Sequence, residues 1–134
     1  MKQLRTAAVL VATLGAVSVS AHHGTGISYD LNAPLVTIKG TVTEFAWRNP
    51  HVSLFIDVTD DKGTVVNWGL EHSNVATLAR QGYNRNSLRM GDQVTAVLHP
   101  SRAGAPIGLI VKVVLADGRE ILNRQQAGAP RNPS

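Results

Sequence analysis

The segment Glu44–Val58 constrains the fold most strongly, because it joins two extended runs through a turn that contains a proline. Pro50 fixes its own φ and the preceding Asn49 tolerates turn geometry, so the chain is predicted to change direction there. After His51 every second residue is apolar, in the order Val52, Leu54, Ile56 and Val58. This period of two predicts a β-strand with one buried face, and it puts a polar imidazole at the start of that strand.

Further period-two runs on both sides of this segment predict a mainly β domain. The first strand is expected over Leu35–Trp47, where a change of parity between Val42 and Phe45 predicts a β-bulge or strong coiling, with Gly40 as the expected place of the bend. Turn residues at Asp60–Gly63 predict a hairpin to the next strand. The remaining predicted elements are a strand over Thr64–Glu71, a helix over Asn74–Gln81 capped by Ser73, and strands over Gln93–His99, Ile107–Leu115 and Arg119–Leu122.

Three strands, one helix and then two strands is the element order of an OB-fold, which is a small five-stranded barrel. We therefore predict an all-β domain with one short helix, built as an OB-fold-like barrel of five to six strands. An open α+β sheet is the alternative. In strand five, the residues expected to face inward are Ile107, Leu109, Val111 and Val113. The predicted core comprises Val36, Ile38, Val42, Leu54, Ile56, Trp68, Val94, Leu98, Leu109 and Val111.

Residues 1–21 have the pattern of a secretory signal peptide. Lys2 and Arg5 precede an uncharged, mostly apolar stretch, and the small residues at its end predict cleavage after Ala21. The predicted domains are the signal peptide at 1–21, an N-terminal arm at 22–34, the barrel at 35–124 and a disordered tail at 125–134. The expected localisation is periplasmic or secreted, with no membrane insertion after processing. Because cysteine is absent, the core alone has to hold the exported domain together.

The charge of the processed chain bears on its partners. Removal of two basic residues with the signal peptide reduces the formal net charge from +4 to +2. So small a positive charge does not indicate binding to nucleic acid. The expected partner is an unidentified periplasmic protein or a small ligand.

Several segments of the chain together resemble a bacterial exported domain family of unknown function. The resemblance rests on the His22-His23 start of the predicted mature chain and on the segments Val36–Val42, Trp47–His51, Val65–Glu71 and Ser87–Val94. It spans about residues 22–119, which is essentially the predicted mature domain. The resemblance implies export and one compact domain, and it assigns no catalytic residue.

Cleavage after Ala21 would leave His22 at the amino terminus, where the α-amine and imidazole of one residue form a chelate. One further imidazole would complete a three-nitrogen site that suits Cu(II) and resembles the histidine brace of copper proteins and copper-dependent oxygenases. His51 is predicted as this third ligand. The start of strand two and the end of strand three lie at one end of the sheet, so we expect His51 and His72 to be neighbours. The candidate metal ligands are His22, His51, His72 and His23, with His99 as an alternative loop histidine.

The loops between strands one and two and between strands four and five flank the ligand face of an OB-fold. Residues in and near these loops are therefore the predicted ligand face of this chain. Phe55 has the opposite parity to Leu54 and Ile56, which predicts an outward ring able to stack on a sugar or a peptide. Trp68 is expected in the core. The candidate ligand-face residues are Trp47, Arg48, Asn49, Phe55, His99 and Arg102.

The sequence contains none of the common catalytic motifs. It has no Gly-x-Ser-x-Gly around a serine, no helical His-Glu-x-x-His, and no Walker or Rossmann glycine pattern. The predicted function is therefore binding, by an exported protein that holds copper through His22 and a loop histidine, His51. The alternative is an interaction module that presents the same face to a protein or a saccharide without metal. A copper oxidase or oxygenase is a third hypothesis.

Overall fold

The computed structural model describes residues 28–127, which form a closed five-stranded barrel with one additional strand. The elements are β1 Val36–Ala46, β2 Ser53–Thr59, β3 Val65–Glu71, α1 Val75–Arg80, β4 Gln93–Pro100, β5 Ile107–Leu115, β6 Glu120–Leu122 and α2 Arg124–Ala127. β1 pairs with both β2 and β4, and a short parallel pairing of β3 with β5 closes the ring. β6 lies outside the ring, on β5. The OB-fold-like prediction is therefore confirmed against the open sheet.

The two ends of the described chain show how the barrel is flanked. Before β1, Tyr29 forms an isolated bridge with Ser101, so the arm runs beside the end of β4. After β6, the short helix α2 was not predicted, and it includes the start of the tail that was expected to be disordered. The predicted signal peptide, His22, His23 and the last residues of the tail lie outside the described residues. Across residues 28–127, no helix combines the length and the apolar character that a membrane span requires.

A β-bulge in β1 explains the change of parity seen in the sequence. The register of β1 against β2 shifts between Val42 and Glu44, which makes Thr43 the extra residue. Val42 and Phe45 consequently both face the core side of the barrel although three positions separate them. The predicted bulge is present, but its predicted position at Gly40 was wrong.

Gly40 has a different role, which is to let two strands approach closely. A Cβ atom on Gly40 would collide with the backbone oxygen of Asp57 and would lie 3.1 Å from its carbonyl carbon. Gly40 and Asp57 lie where β1 changes partner from β4 to β2. A side chain at this position would separate strands that have to pair.

A second bulge, in β5, corrects the predicted inward face of that strand. The register of β4 against β5 shifts so that Val111 has no opposite residue. Ile110 and Val113 therefore both belong to the core cluster, although they differ in parity. Of the residues predicted to face inward, Ile107 is 37% exposed and Val111 is only partly buried. The strand was located correctly, but of the four residues predicted to face inward only Val113 belongs to the core cluster.

The core fills the interior of the barrel and is closed at one end by α1. Predicted core residues that are buried in it are Val42, Leu54, Ile56, Val94 and Leu98, while Val36, Ile38 and Trp68 pack against it as partly buried residues. Buried core residues that were not in the predicted set include Val52, Leu70, Leu78 and Ile110. Leu78 is the fully buried residue of α1, and Val75 at the start of the helix packs against the core as a partly buried residue.

The cap of α1 is Asn74 rather than the predicted Ser73. The side chain of Asn74 accepts a hydrogen bond of 2.8 Å from the backbone N–H of Thr77, as expected for an N-cap residue. The hydroxyl of Ser73 instead donates to Oδ1 of Asn123 at 3.1 Å, and both side chains are buried. Ser73 therefore joins the end of β3 to the C-terminal part of the domain.

Candidate functional site

Tyr29, His51 and Glu71 form a hydrogen-bonded group on the outside of the barrel, which we call the Glu71 cluster. One carboxylate oxygen of Glu71, Oε1, is paired with Nδ1 of His51. The other, Oε2, accepts a hydrogen bond of 2.9 Å from the hydroxyl of Tyr29. The side chain of His51 is 52% exposed, so a ligand can approach the imidazole from solvent. Because Glu71 occupies Nδ1, the ring nitrogen left for a ligand is Nε2.

The register of the β2–β3 hairpin explains why His51 and Glu71 meet. Glu71 pairs with Ser53, and Leu54 pairs with Leu70. Successive residues of a strand point to opposite faces, so the burial of Leu54 and Leu70 puts Ser53 and Glu71 on the outer face. His51 lies two residues before Ser53 and contacts Glu71 from the diagonal position. Sequence reasoning identified His51 but missed Glu71 as its partner.

Tyr29 contributes a buried hydroxyl to the Glu71 cluster. Its side chain is only 6% exposed. Burial, and then the hydrogen bond to the Glu71 carboxylate, raise the pKa of the Tyr29 hydroxyl, so it remains a donor at neutral pH. Leu109 lies opposite Glu71 on β5 and faces outward by register, yet it is 3% exposed. We attribute this burial to the Tyr29 ring, which reaches across the outer face to Glu71.

His72 points into the barrel, whereas its neighbour Glu71 points out. The imidazole of His72 is 4% exposed, and its Nδ1 accepts a hydrogen bond of 2.7 Å from the backbone N–H of Ser73. Among residues 28–127, Nε2 of His72 has no hydrogen-bond partner. Burial lowers the pKa of His72 to about 4, so this imidazole is neutral at pH 7. The structure therefore brings Glu71, and not His72, to His51, because strand alternation separates adjacent residues.

The loop between β1 and β2 carries three of the predicted ligand-face residues, and they have different surroundings. Trp47 packs against the core, with its ring centroid 5.8 Å from that of Phe45. Arg48 is exposed and forms a loose ion pair with Glu44 at 3.8 Å. The side-chain oxygen of Asn49 accepts a hydrogen bond of 3.2 Å from the backbone N–H of Val75, which attaches the loop to the start of α1.

Phe55 lies on the outer face of β2, as its parity predicted, and is partly buried. The glycine opposite it on β3 makes room for the ring, since a Cβ on Gly69 would lie 3.3 Å from Cε1 of Phe55 and 3.7 Å from Cγ2 of Ile107. Ile107 is itself partly exposed. Phe55, Gly69 and Ile107 thus form a small apolar patch two residues along the strands from the Glu71 cluster.

His99 and Arg102 lie at the β4 end of the same face. His99 is opposite Leu109, which is in turn opposite Glu71, so the three residues form one row across β4, β5 and β3. The backbone N–H of Arg102 donates a hydrogen bond of 3.1 Å to the carbonyl of Ser28. The loop between β4 and β5 therefore holds the N-terminal arm beside the outer face.

The candidate metal ligands are only partly brought together. Over residues 28–127, no group of three or more His, Cys, Asp or Glu side chains is arranged to hold a metal ion. His22 and His23, on which the predicted copper site depends, lie outside the described residues. Of the described candidates, His51 is accessible and has a carboxylate partner, whereas His72 is enclosed in the barrel.

The structure also has a concave region away from the Glu71 cluster, which was not predicted from the sequence. It is a groove of about 530 Å³ between the loop after α1 and the β5–β6 hairpin. Polar side chains that line it include Asn84, Asn86 and Arg119, together with Tyr83, whose hydroxyl donates to the backbone oxygen of Glu120 at 2.9 Å. None of the predicted metal-site or ligand-face residues lines this groove.

Comparisons with known proteins give a family but no activity. A family model described as a family of unknown function, DUF6152, matches residues 9–111. No curated protein matches the chain. Among solved structures, the chain is similar to the mitochondrial single-stranded DNA binding protein Rim1 from S. cerevisiae, with 13% sequence identity, a TM-score of 0.47, and coverage of 62% of this chain and 93% of that chain. Similarity at this level indicates nothing about the ligand of this chain.

Proposed function

Since the chain belongs to DUF6152, a family of unknown function, we propose its function from the geometry of the Glu71 cluster. The proposal is an exported binding protein that holds Cu(II) at the outer face of the barrel. His51 supplies one imidazole nitrogen. The amine and imidazole of His22, at the amino terminus produced by cleavage after Ala21, supply two more.

The observation that carries this proposal is the pairing of Nδ1 of His51 with the carboxylate of Glu71. Histidines that ligate metals generally direct their other ring nitrogen to a carboxylate, a backbone carbonyl or water, which fixes the ring and makes it a stronger ligand. In this arrangement Nε2 of His51 is the nitrogen available to a metal. Nitrogen ligands of this type, in a chain without cysteine, suit Cu(II) better than Cu(I).

The position of the arm supports a contribution from His22. Tyr29 is bonded to the same carboxylate as His51, so the arm reaches the proposed site at residue 29. An extended chain spans at most roughly 3.3–3.6 Å per residue, which allows His22 to lie anywhere within about 20 Å of Ser28. The proposed ligand is therefore within reach of His51 along the chain. His72 is the weaker candidate, because a metal would have to enter the closed barrel to reach it.

Charge distribution supports a cation over a nucleic acid as the ligand of this face. Residues 28–77, which include β1, β2 and β3, carry six acidic and three basic side chains. Residues 78–127 carry three acidic and seven basic side chains. Binding to a phosphate backbone depends on clustered Lys and Arg, and the strands that present Phe55 and Glu71 have the opposite sign.

Calorimetry with Cu(II) on the processed protein tests the proposal, after mass spectrometry has established that the amino terminus is His22. One residue added before His22 moves the amine off the chelate and is expected to weaken binding sharply. His51→Ala is expected to weaken it as well, with a residual site from the terminal His22-His23 pair. Arg48→Ala is the matched control, because this loop residue is exposed and offers no metal ligand. Equal Cu(II) affinity in all four proteins would overturn the proposal.

The apolar patch of Phe55, Gly69 and Ile107 favours a second candidate function, an interaction module for a saccharide or a protein. An outward aromatic ring beside an exposed aliphatic side chain is a surface on which a sugar or an apolar side chain can stack. Absence of Cu(II) binding, together with ligand-induced NMR shifts that are lost in Phe55→Ala, would favour this reading. If Cu(II) binds, an assay with a reductant separates simple binding from the copper oxidase or oxygenase hypothesis.

A further inference from the structure

Glu71 connects two segments of the chain that are otherwise far apart in sequence. Its Oε2 accepts from the hydroxyl of Tyr29 in the arm, and its Oε1 holds Nδ1 of His51 in the loop before β2. A carboxylate with both oxygens engaged has a fixed plane, whereas one with a single partner rotates about its last bond. The orientation of the His51 ring therefore depends on whether the arm is in place.

The arm is held in place by backbone contacts as well as by its tyrosine. Tyr29 bridges to Ser101, the N–H of Asp30 donates to the carbonyl of Pro100 at 2.9 Å, and the carbonyl of Ser28 accepts from Arg102 at 3.1 Å. These contacts place Tyr29 where its hydroxyl reaches Glu71. The Tyr29 residue is only 6% exposed, so its packing also holds the ring in this position beside Glu71.

We propose that Tyr29 and Glu71 are positioning residues for His51: the docked arm fixes the Glu71 carboxylate, which holds the imidazole with a proton on Nδ1 and presents Nε2 outward as the ligating atom. The identity of the metal rests on the proposed function, whereas the tautomer of the His51 ring can be measured without any metal.

Substitutions of Tyr29 and of Glu71 are expected to change the tautomer of the His51 ring in different ways, so each residue can be tested separately. In Tyr29→Phe the buried ring is kept and only the hydroxyl is lost, so Glu71 is released on one side. In Glu71→Gln the side chain gains an amide donor that can face Nδ1 of His51, which favours a proton on Nε2 and blocks the ligating lone pair. Tyr83→Phe is the matched control, because it removes a hydroxyl bond of the same length, 2.9 Å, at the β5–β6 hairpin.

The measurement is ¹⁵N NMR of the His51 ring in metal-free protein, at a pH where the ring shifts themselves show a neutral imidazole. We expect the Nδ1–H tautomer in the wild type and in Tyr83→Phe, a mixture in Tyr29→Phe, and mainly the Nε2–H tautomer in Glu71→Gln. A wild-type ring protonated on Nε2 would overturn the proposal. An unchanged tautomer in both Tyr29→Phe and Glu71→Gln would overturn it as well.

Cu(II) calorimetry on the same four proteins gives the second readout. Removal of a group that orients a ligating histidine typically weakens metal binding by about 10–100-fold. We expect losses of that order in Tyr29→Phe and Glu71→Gln, and none in Tyr83→Phe. If none of the four proteins binds Cu(II), the proposed function fails, while the tautomers still decide the positioning role. Equal affinities combined with the expected tautomers would show that His51 is not a ligand.

Discussion

Protonation of the buried His72 is expected to destabilise the barrel as the pH falls below neutral. Its imidazole has a pKa of about 4 in the folded protein, because burial disfavours the charged form, against an ordinary value of 6.5. Between these values the unfolded chain binds more protons than the folded chain, so the free energy of unfolding decreases as the pH decreases. The difference between the two pKa values corresponds to a decrease of about 3 kcal/mol in the free energy of unfolding once the pH is below both of them. About 2 kcal/mol of this decrease occurs between pH 7 and pH 5.

Urea unfolding of the wild type and of His72→Asn, followed by tryptophan fluorescence from pH 7.5 to pH 4.5, measures this contribution. Asn does not titrate, and its side-chain oxygen can still accept the N–H of Ser73. Other groups titrate alike in both proteins, so the difference between the two pH curves isolates His72. The wild type is expected to lose about 2 kcal/mol relative to the variant by pH 5. Parallel curves would refute the reasoning.

Two further predictions concern the barrel itself. In a urea titration, Leu54→Ala is expected to lower the free energy of unfolding by about 2–5 kcal/mol, because Leu54 is 1% exposed and its truncation leaves a cavity. The control is Val65→Ala, at a position 57% exposed, which should change the free energy of unfolding by no more than about 0.5 kcal/mol. Gly40→Ala is expected to cost about 1–3 kcal/mol, because its Cβ would collide with the backbone of Asp57. An unchanged thermal unfolding midpoint for Gly40→Ala would contradict this close approach of β1 and β2.

The barrel could be predicted because each strand has a clear period or a clear boundary. The turn at Pro50, the hairpin at Asp60–Gly63 and the break before α1 separate the runs in the order that an OB-fold requires. The bulge in β1 was also visible, since Val42 and Phe45 differ in parity. The position of this bulge was not visible, because a glycine within a strand indicates a bulge and the close approach of a neighbouring strand equally well.

The bulge in β5 could not be predicted, and the reason lies in composition. Almost every residue from Leu109 to Leu115 is apolar, so both faces of the strand satisfy the criterion for burial. Only the pairing with β4 selects Ile110 and Val113 for the core. The location of β5 depends on hydrophobicity and was predicted correctly. Which of its residues face the core depends on pairing with β4, and that prediction was wrong.

The partner of His51 was equally hard to predict, because it depends on register to a single residue. Asp60 accepts hydrogen bonds from the backbone N–H of Lys62 at 2.9 Å and of Thr64 at 2.8 Å, and this turn sets the hairpin so that Ser53 pairs with Glu71. A slip of one residue would exchange the faces of Glu71 and His72. The sequence placed two histidines at one end of the sheet but did not determine which side chain of β3 faces outward.

The outward position of Glu71 also bears on the charge of the ligand that we propose for this face. If His72 had been outward, the loop would combine two imidazoles with Arg48 and would suit an anion. Instead Glu71 lies beside His51, and Arg48 is already paired with Glu44, so the charge around the imidazole is negative. The Glu71 carboxylate at Nδ1 would repel an anion at Nε2 of His51, whereas it would stabilise a cation there. This charge distribution supports the proposed cation at His51, with a neutral sugar or an apolar side chain on the Phe55 patch as the alternative.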